Sequence, residues 1–173
     1  MKSDDALRRM KILIIDDERA NVVLLQEILI ENAYTRIEAV SDSKQVLATF
    51  QRFEPDLVLL DLMMPPPDGF AILESLRLER EETFLPVVVL TADTSEETKR
   101  NALAAGATDF LCKPFDHGEV VLRIRNLLET RRVHLLLDNQ RAALEEAFRE
   151  QIVELRATIA ELRRTSELPM QKV

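Results

Sequence analysis

The sequence is poor in glycine, cysteine and long apolar runs, and each shortage excludes a class of protein. Its 173 residues include only 3 glycines and 1 cysteine, against a hydrophobic fraction of 46%, which suits an ordered, helix-rich chain. The single Cys112 cannot form an internal disulfide, and we expect it to be a buried structural thiol. No apolar stretch reaches the ~18–20 residues that span a bilayer. The charged start is also unlike a secretory signal, so we expect a cytoplasmic protein.

Positive charge is scarce in the first two thirds of the chain. Residues 1–118 hold 22 acidic and 13 basic side chains, whereas residues 119–173 hold 9 and 10. Neither part is basic enough to hold a phosphate backbone by charge alone, which predicts no direct binding to nucleic acid. The acidic character of the globular part instead agrees with a surface that binds cations.

Turn residues are missing from the last part of the chain. No glycine follows Gly118, and no proline lies between Pro114 and Pro169. About 50 residues without a turn signal exclude a second compact domain such as a helix-turn-helix. We therefore predict that Glu119–Arg164 forms one helix of roughly 70 Å. Its early part can pack on a sheet, whereas its later part has nothing within the chain to pack on.

Between residue 11 and about residue 128, short aliphatic runs alternate with longer amphipathic runs. Five such pairs predict an α/β fold, a doubly wound parallel sheet in the flavodoxin-like order 2-1-3-4-5. The predicted strands are Lys11–Ile15, Arg36–Val40, Leu57–Leu60, Pro86–Leu90 and Asp109–Cys112. The predicted helices lie near Ala20–Glu31, Lys44–Phe53, Phe70–Arg80, Glu96–Ala105 and from Glu119 onward. Ser43 and Asp116 are predicted helix N-caps, and Gly106 a helix end.

Polar side chains stand where four of these strands end. They are the pair Asp16 and Asp17, Asp61, Thr91, and Lys113 followed by Pro114. Taken singly, each could be a helix cap or a solvated residue, but ligands of open α/β sheets bind at this edge. Clustered carboxylates repel one another and require a cation, for which Mg²⁺ is suited. The pattern predicts a phosphoryl-transfer site with Asp61 as nucleophile, Lys113 as compensating charge and Thr91 as hydroxyl donor.

Four segments of the chain carry a family resemblance. KILIIDDE, PDLVLLDLMMPPPDGF, VVVLTAD and FLCKPF resemble, in order and spacing, the receiver domain of two-component response regulators, over residues 11–128. The resemblance implies that Asp61 accepts a phosphoryl group from a histidine kinase or phosphotransfer protein. It also implies that Asp17 and Asp61 bind Mg²⁺ directly, Asp16 through water, and Met63 through its backbone carbonyl.

The resemblance further implies a switch pair, Thr91 and Phe110. A phosphoryl group on Asp61, contacted by Lys113, would draw the Thr91 hydroxyl inward, and the Phe110 ring would move into the vacated space. The change would reach the fourth predicted helix, the fifth strand and the last helix. A static core role for Phe110 is the alternative. The family usually has a cis peptide bond at the position that corresponds to Lys113-Pro114. Proline lowers the free-energy cost of that cis bond.

The loop after Asp61 departs from the family pattern. Its three prolines, at positions 65–67, make this loop stiffer than the usual form with one. Met63 and Asp93 flank the expected path of an attacking water. We predict that the apolar Met63 side chain shields the acyl phosphate from hydrolysis.

The last predicted helix carries an apolar seam with 4-3-4-3 spacing: Phe148, Ile152, Leu155, Ile159 and Leu162. Isoleucine at a and leucine at d favour a parallel two-stranded coiled coil. The e positions are Arg149, Arg156 and Arg163, and the g positions Gln151, Thr158 and Thr165. A parallel pair sets each arginine opposite a neutral residue, so we predict a parallel homodimer. Leu144 breaks the repeat locally, and a solvated or differently packed helix is the alternative.

These observations divide the chain into an N-terminal extension (1–10), a receiver domain (11–128), a coiled-coil extension (129–165) and a tail (166–173). The predicted function is a response regulator that relays a phosphorylation signal to a dimerising helix. We expect it to turn over no separate substrate beyond its own phosphorylation and dephosphorylation. One alternative is the regulatory front of a cyclic-di-GMP phosphodiesterase (HD-GYP) or diguanylate cyclase. The segment RNLLETRRVHLLLDNQ resembles the helices that precede such enzyme domains. Another is a structural coiled-coil adaptor with an inactive receiver.

Overall fold

The computed structural model describes residues 2–79, 83–93 and 95–166. The predicted tail from residue 167 onward, the predicted helix end at Arg80 and the side chain of Thr165 lie outside this description. The chain forms two compact units, Met1–Val133 and His134–Val173. In the described part of the chain, no helix is long and apolar enough to cross a membrane.

The first unit contains one parallel sheet of five strands in the order β2-β1-β3-β4-β5, so the predicted fold class and strand order are confirmed. The strands are β1 Lys11–Ile15, β2 Arg36–Val40, β3 Leu57–Asp61, β4 Val87–Thr91 and β5 Asp109–Cys112. The helices are α1 Lys2–Leu7, α2 Arg19–Glu31, α3 Val46–Phe53, α4 Gly69–Glu79, α5 Glu96–Ala104 and α6 His117–Ser166. The register pairs Ile15 with Leu60 and Asp61 with Leu90, which brings the carboxyl ends of the strands to one edge.

The three central strands form the core because their aliphatic runs are buried on both faces of the sheet. Every residue of β3 and β4 is buried, as expected of parallel strands covered by helices on both sides. Phe50 from α3 and Leu76 from α4 pack into the same hydrophobic cluster. By contrast, Cys112 on the edge strand β5 is only partly buried, so its predicted burial is incomplete.

Three predicted helix ends can be compared with the structure. Asp42, and not Ser43, is the cap of the 3-10 turn Ser43–Gln45 that precedes α3: its carboxylate accepts the N–H of Lys44. Ser43 instead begins a 3-10 turn, so that prediction was wrong by one residue because the longer carboxylate reaches the amide two residues on. Asp116 accepts the Glu119 N–H at 2.8 Å, and Gly106 follows α5 with a φ of 108°. Both of these predictions are confirmed.

Helix α1 was not predicted as an element. Leu7 at its end is only 2% exposed, and Asp4 forms an ion pair of 2.9 Å with Arg125 of α6. The Arg8 carbonyl accepts the N–H of Thr35, just before β2. The N-terminal segment is therefore packed on the domain.

Helix α6 is continuous over 50 residues, so the predicted single helix is confirmed. Within the first unit, Val120, Ile124 and Leu128 are fully buried. Further along, Arg131 is 4% exposed and donates a hydrogen bond from Nη1 to the Phe84 carbonyl, just before β4. In the second unit, the five seam side chains are between 44% and 63% exposed: Phe148, Ile152, Leu155, Ile159 and Leu162.

Candidate phosphoryl-transfer site

The acidic pair after β1 is divided between the interior and the surface. Asp16 is completely buried, whereas Asp17 is exposed. The Asp16 carboxylate accepts the Glu18 N–H at 2.8 Å and the Asn21 side-chain amide at 3.0 Å. These donors fix the Asp16 carboxylate at the start of α2.

Asp61 and Thr91 are the last residues of β3 and β4, and both are nearly inaccessible, at 3% and 2% exposed. The Asp61 Oδ1 atom accepts the Met63 N–H at 3.2 Å, and the Met63 side chain is 74% exposed. Gly69, at the start of α4, lies directly against this turn. A Cβ atom at Gly69 would come within 2.3 Å of the Asp61 carbonyl oxygen and 2.5 Å of the Leu62 Cα. Only glycine therefore fits at this position without displacing the backbone that carries Asp61.

Lys113, directly after β5, faces two of the buried carboxylates. Its Nζ atom lies 3.0 Å from Asp16 Oδ2 and 3.1 Å from Asp61 Oδ2. Burial alone would lower the pKa of Lys113, but the hydrogen bonds and negative charges of Asp16 and Asp61 outweigh it and raise the pKa. Burial also raises the pKa of Asp16, against the opposing hydrogen bonds from Lys113 and the Glu18 N–H. The peptide bond between Lys113 and Pro114 is cis, as expected.

The three carboxylates lie close enough together to hold a divalent cation. One oxygen from each of Asp16, Asp17 and Asp61 lies within 4.8 Å of the others. Lys113 contributes one positive charge beside three carboxylates, which leaves negative charge for a cation to neutralise. Hard oxygen donors partly open to solvent suit Mg²⁺, which keeps several of its waters.

The Thr91 hydroxyl is engaged by the loop that follows β4. It donates to the Asp93 carbonyl oxygen at 3.2 Å and accepts the Asp93 N–H at 3.0 Å. Thr91 therefore lies at the same sheet edge as Asp61, with the described hydrogen bonds of its hydroxyl directed to the loop.

Two cations that the sequence interpretation missed lie near the ring of Phe110 on β5. Lys99 Nζ from α5 is 4.8 Å from the ring centroid, and the Arg123 guanidinium carbon from α6 is 5.8 Å from it. Hydrogen bonds from Arg123 to Asp109 and Glu119 raise the pKa of the guanidinium. The spacing of Glu119 and Arg123, four residues apart on a helix, indicates an ion pair, but a single sequence does not reveal that the pair lies beside Phe110.

A five-stranded flavodoxin-like sheet with three carboxylates, a threonine and a lysine at its carboxyl edge defines the class as a signalling receiver. The chain belongs to the response regulator receiver domain family, which matches residues 12–125, and the resemblance carried by its four segments is confirmed. It is therefore a receiver domain of two-component signalling. Such domains interact with histidine kinases or phosphotransfer proteins and generally bind Mg²⁺ at an acidic pocket.

The relatives of the chain agree with this assignment. The probable transcriptional regulator ycf27 of Porphyridium aerugineum is 39% identical over 122 residues, which cover 70% of this chain and 49% of the relative. Response regulator PleD of Caulobacter vibrioides is 37% identical over 131 residues, which cover 76% of this chain and 28% of the relative. The crystal structure of a putative response regulator from Chloroflexus aurantiacus has a TM-score of 0.65 at 27% identity, covering 70% of this chain and 98% of that one. The chain thus spans about half or less of these curated relatives.

Proposed function

We propose that the protein accepts a phosphoryl group on Asp61 from a histidine kinase or phosphotransfer protein and relays its arrival through Thr91 and Phe110. The observation that carries this proposal is the placement of Lys113 within 3.1 Å of both Asp16 and Asp61, two carboxylates buried at the sheet edge. Exposed Asp17 opens the same cluster to solvent. We propose a cytoplasmic location because the phosphodonors of such domains are found there.

In this proposal, residues of the chain carry out the transfer step. One carboxylate oxygen of Asp61 forms a bond to phosphorus, while the bond from phosphorus to the donor nitrogen breaks and the donor imidazole leaves with the electron pair. The Met63 N–H and the Lys113 ammonium fix the Asp61 carboxylate for attack. When bound by Asp16, Asp17, Asp61 and the Met63 carbonyl, Mg²⁺ would supply charge neutralisation on the transferred oxygens. Lys113 then pairs with the acyl phosphate.

The signal passes through the two switch residues. Thr91 turns its hydroxyl from the Asp93 carbonyl to the phosphoryl oxygens, and the Phe110 ring follows into the vacated space. Because Lys99 of α5 and Arg123 of α6 lie over that ring, movement of the ring changes contacts on both helices. Helix α6 thus senses occupancy of the site.

The second unit supplies the output in this proposal. The five seam side chains remain 44–63% exposed on one helix, and a second copy of the same helix would cover them as a parallel coiled coil. We keep the division into an extension (1–10), a receiver (11–128), a coiled-coil segment (129–165) and a tail (166–173). Absence of direct nucleic-acid binding stays a prediction.

Phosphodonor labelling tests the proposal directly. Incubation with Mg²⁺ and acetyl phosphate should raise the mass by one phosphoryl group, and Asp61→Asn should abolish the increase. Asp138→Asn, which removes the same charge from an exposed position on α6, should leave it intact. No mass increase under conditions that phosphorylate another receiver domain would contradict the proposal.

The regulatory front of a cyclic-di-GMP enzyme remains the second candidate. The chain covers only 28% of response regulator PleD, so a relative with a far longer chain can share this part. The length of the natural open reading frame decides between an independent regulator and such a fragment. A structural adaptor with an inactive receiver predicts no mass increase in the labelling experiment.

A further inference from the structure

We propose that Asp93 is a positioning residue that holds the Thr91 hydroxyl in its resting orientation and so sets the threshold of the switch. The inference rests on the proposed phosphorylation of Asp61. It concerns the loop between β4 and α5, where hydrogen bonds link the end of the strand to the first turn of the helix.

The backbone of Asp93 contacts the Thr91 hydroxyl from two sides. Its N–H donates to Oγ1 at 3.0 Å, and its carbonyl oxygen accepts the hydroxyl proton at 3.2 Å. A hydroxyl has one proton to donate. Thr91 therefore cannot donate to a phosphoryl oxygen on Asp61 while it donates to Asp93.

The side chain of Asp93 holds this backbone in place. Its Oδ1 atom accepts the Ser95 N–H at 2.8 Å, and its Oδ2 atom accepts the Thr98 hydroxyl at 2.6 Å. These bonds keep the pKa of Asp93 below its usual range, and the bond from Thr98 has the largest effect. Ser95 in turn accepts the Thr98 N–H at 3.3 Å as the N-cap of α5. We call the set Thr91, Asp93 and Thr98 the loop latch.

The loop latch opposes the rearrangement that phosphorylation requires. Release of the Thr91 hydroxyl removes the partner of the Asp93 carbonyl, and a shift of that backbone also stretches the bond between the Asp93 carboxylate and Thr98. A phosphoryl group shifts the equilibrium between the resting and the released orientation of the Thr91 hydroxyl only by as much as it binds the released orientation more tightly. Weakening of the loop latch should therefore increase the apparent affinity for a phosphoryl analogue without any change at Asp61, Lys113 or the metal ligands.

Removal of the Asp93 charge could also favour an anion near the site, and Thr98 separates the two effects. Thr98→Val keeps the Asp93 carboxylate and removes the hydroxyl that donates to it, which also accepts the Ser95 hydroxyl proton. Thr98→Ser restores a hydroxyl and is the matched rescue. Asp93→Ala removes both anchors of the loop.

The test is titration of the isotopically labelled full chain with beryllofluoride in the presence of Mg²⁺, followed by the amide NMR signals of Thr91 and Phe110. Loss of the Thr98 hydrogen bond is expected to tighten apparent binding about three- to tenfold in Thr98→Val. Asp93→Ala, which also loses the bond from the Ser95 N–H, should tighten it at least as much. Thr98→Ser should match the original protein. Without beryllofluoride, the scalar couplings that report the Thr91 χ1 angle should have the values of a single rotamer in the original protein. In Thr98→Val they should have values averaged over several rotamers.

The other outcomes of the titration would overturn either the loop latch or the proposed function. If Thr98→Val binds beryllofluoride like the original protein, the loop latch is wrong, even if Asp93→Ala binds more tightly, because charge alone then explains the change. Weaker binding by both variants also overturns it, as does an unchanged Thr91 rotamer in Thr98→Val. If the original protein binds no beryllofluoride while its rotamer responds to Thr98→Val, the proposed function fails and the resting hydrogen bonds stand.

Discussion

The Lys113 ammonium lies 3.1 Å from Asp61 Oδ2, so the predicted phosphoacceptor already faces a positive charge before a phosphoryl group arrives. The same ammonium lies 3.0 Å from Asp16. Removal of one partner from a buried ionic cluster leaves charge without compensation, which costs more than the loss of a surface ion pair.

Lys113→Met should lower the free energy of unfolding by about 2 kcal/mol in the absence of divalent cations, less than for a fully enclosed pair because Lys113 is partly accessible. Urea denaturation measures the change. Mg²⁺ should restore part of the lost stability, since it is expected to bind the carboxylates that have lost their lysine partner. Lys44→Met, at an exposed lysine, is the control, and equal losses in the two variants would contradict the role of Lys113.

Met63→Asn should shorten the lifetime of the acyl phosphate on Asp61. Met63, 74% exposed and two residues after the predicted phosphoacceptor Asp61, is expected to keep water from the phosphorus atom with its apolar side chain, whereas an amide can hold a water there. A barrier lowered by about 1 kcal/mol gives roughly a fivefold faster hydrolysis. Release of phosphate from the labelled protein measures the rate. Leu78→Asn changes a side chain of similar exposure, 75%, and should have no effect; unchanged lifetimes in Met63→Asn would remove the shielding hypothesis.

Phe110 and Arg123 should be energetically coupled. The guanidinium lies 5.8 Å from the ring centroid, so a double-mutant cycle of Phe110→Leu and Arg123→Met should give a coupling free energy of about 0.5–1 kcal/mol. Unfolding by urea supplies the four free energies. Leu122→Ala, at an exposed α6 residue, should be additive with Phe110→Leu. Strict additivity of the Phe110 and Arg123 changes would show that the ring does not sense α6 through this cation.

Ile152→Asp should convert the proposed dimer to a monomer because it places a charge in the apolar seam. Sedimentation velocity over a range of protein concentrations measures the mass. Val153→Asp is the matched control, because Val153 is an exposed apolar neighbour that lies off the seam. A monomeric original protein at every concentration would remove the coiled-coil hypothesis, and dissociation by both variants would place the interface elsewhere on the helix.

The sheet was predictable because its strands are continuous aliphatic runs, and their ends place the acidic residues, Thr91 and Lys113 at one edge whatever the details of the loops. Contacts between distant segments were not predictable. Neither the packing of Leu7 nor the two cations around Phe110 leaves a periodic signal in one sequence. The predicted cap at Ser43 lies one residue late because serine and aspartate both favour N-cap positions, and only the geometry selects Asp42.

Gly69 contributes no charge and no hydrogen-bonding side chain, and yet the spacing between α4 and Asp61, the predicted nucleophile, depends on it. With a single methyl group added, 2.3 Å from the Asp61 carbonyl oxygen, either the helix or the backbone of Asp61 would have to move. The tolerance of the candidate site to substitution is thus set partly by the absence of a Cβ atom at residue 69. Any redesign of this site inherits that steric limit before it meets an electrostatic one.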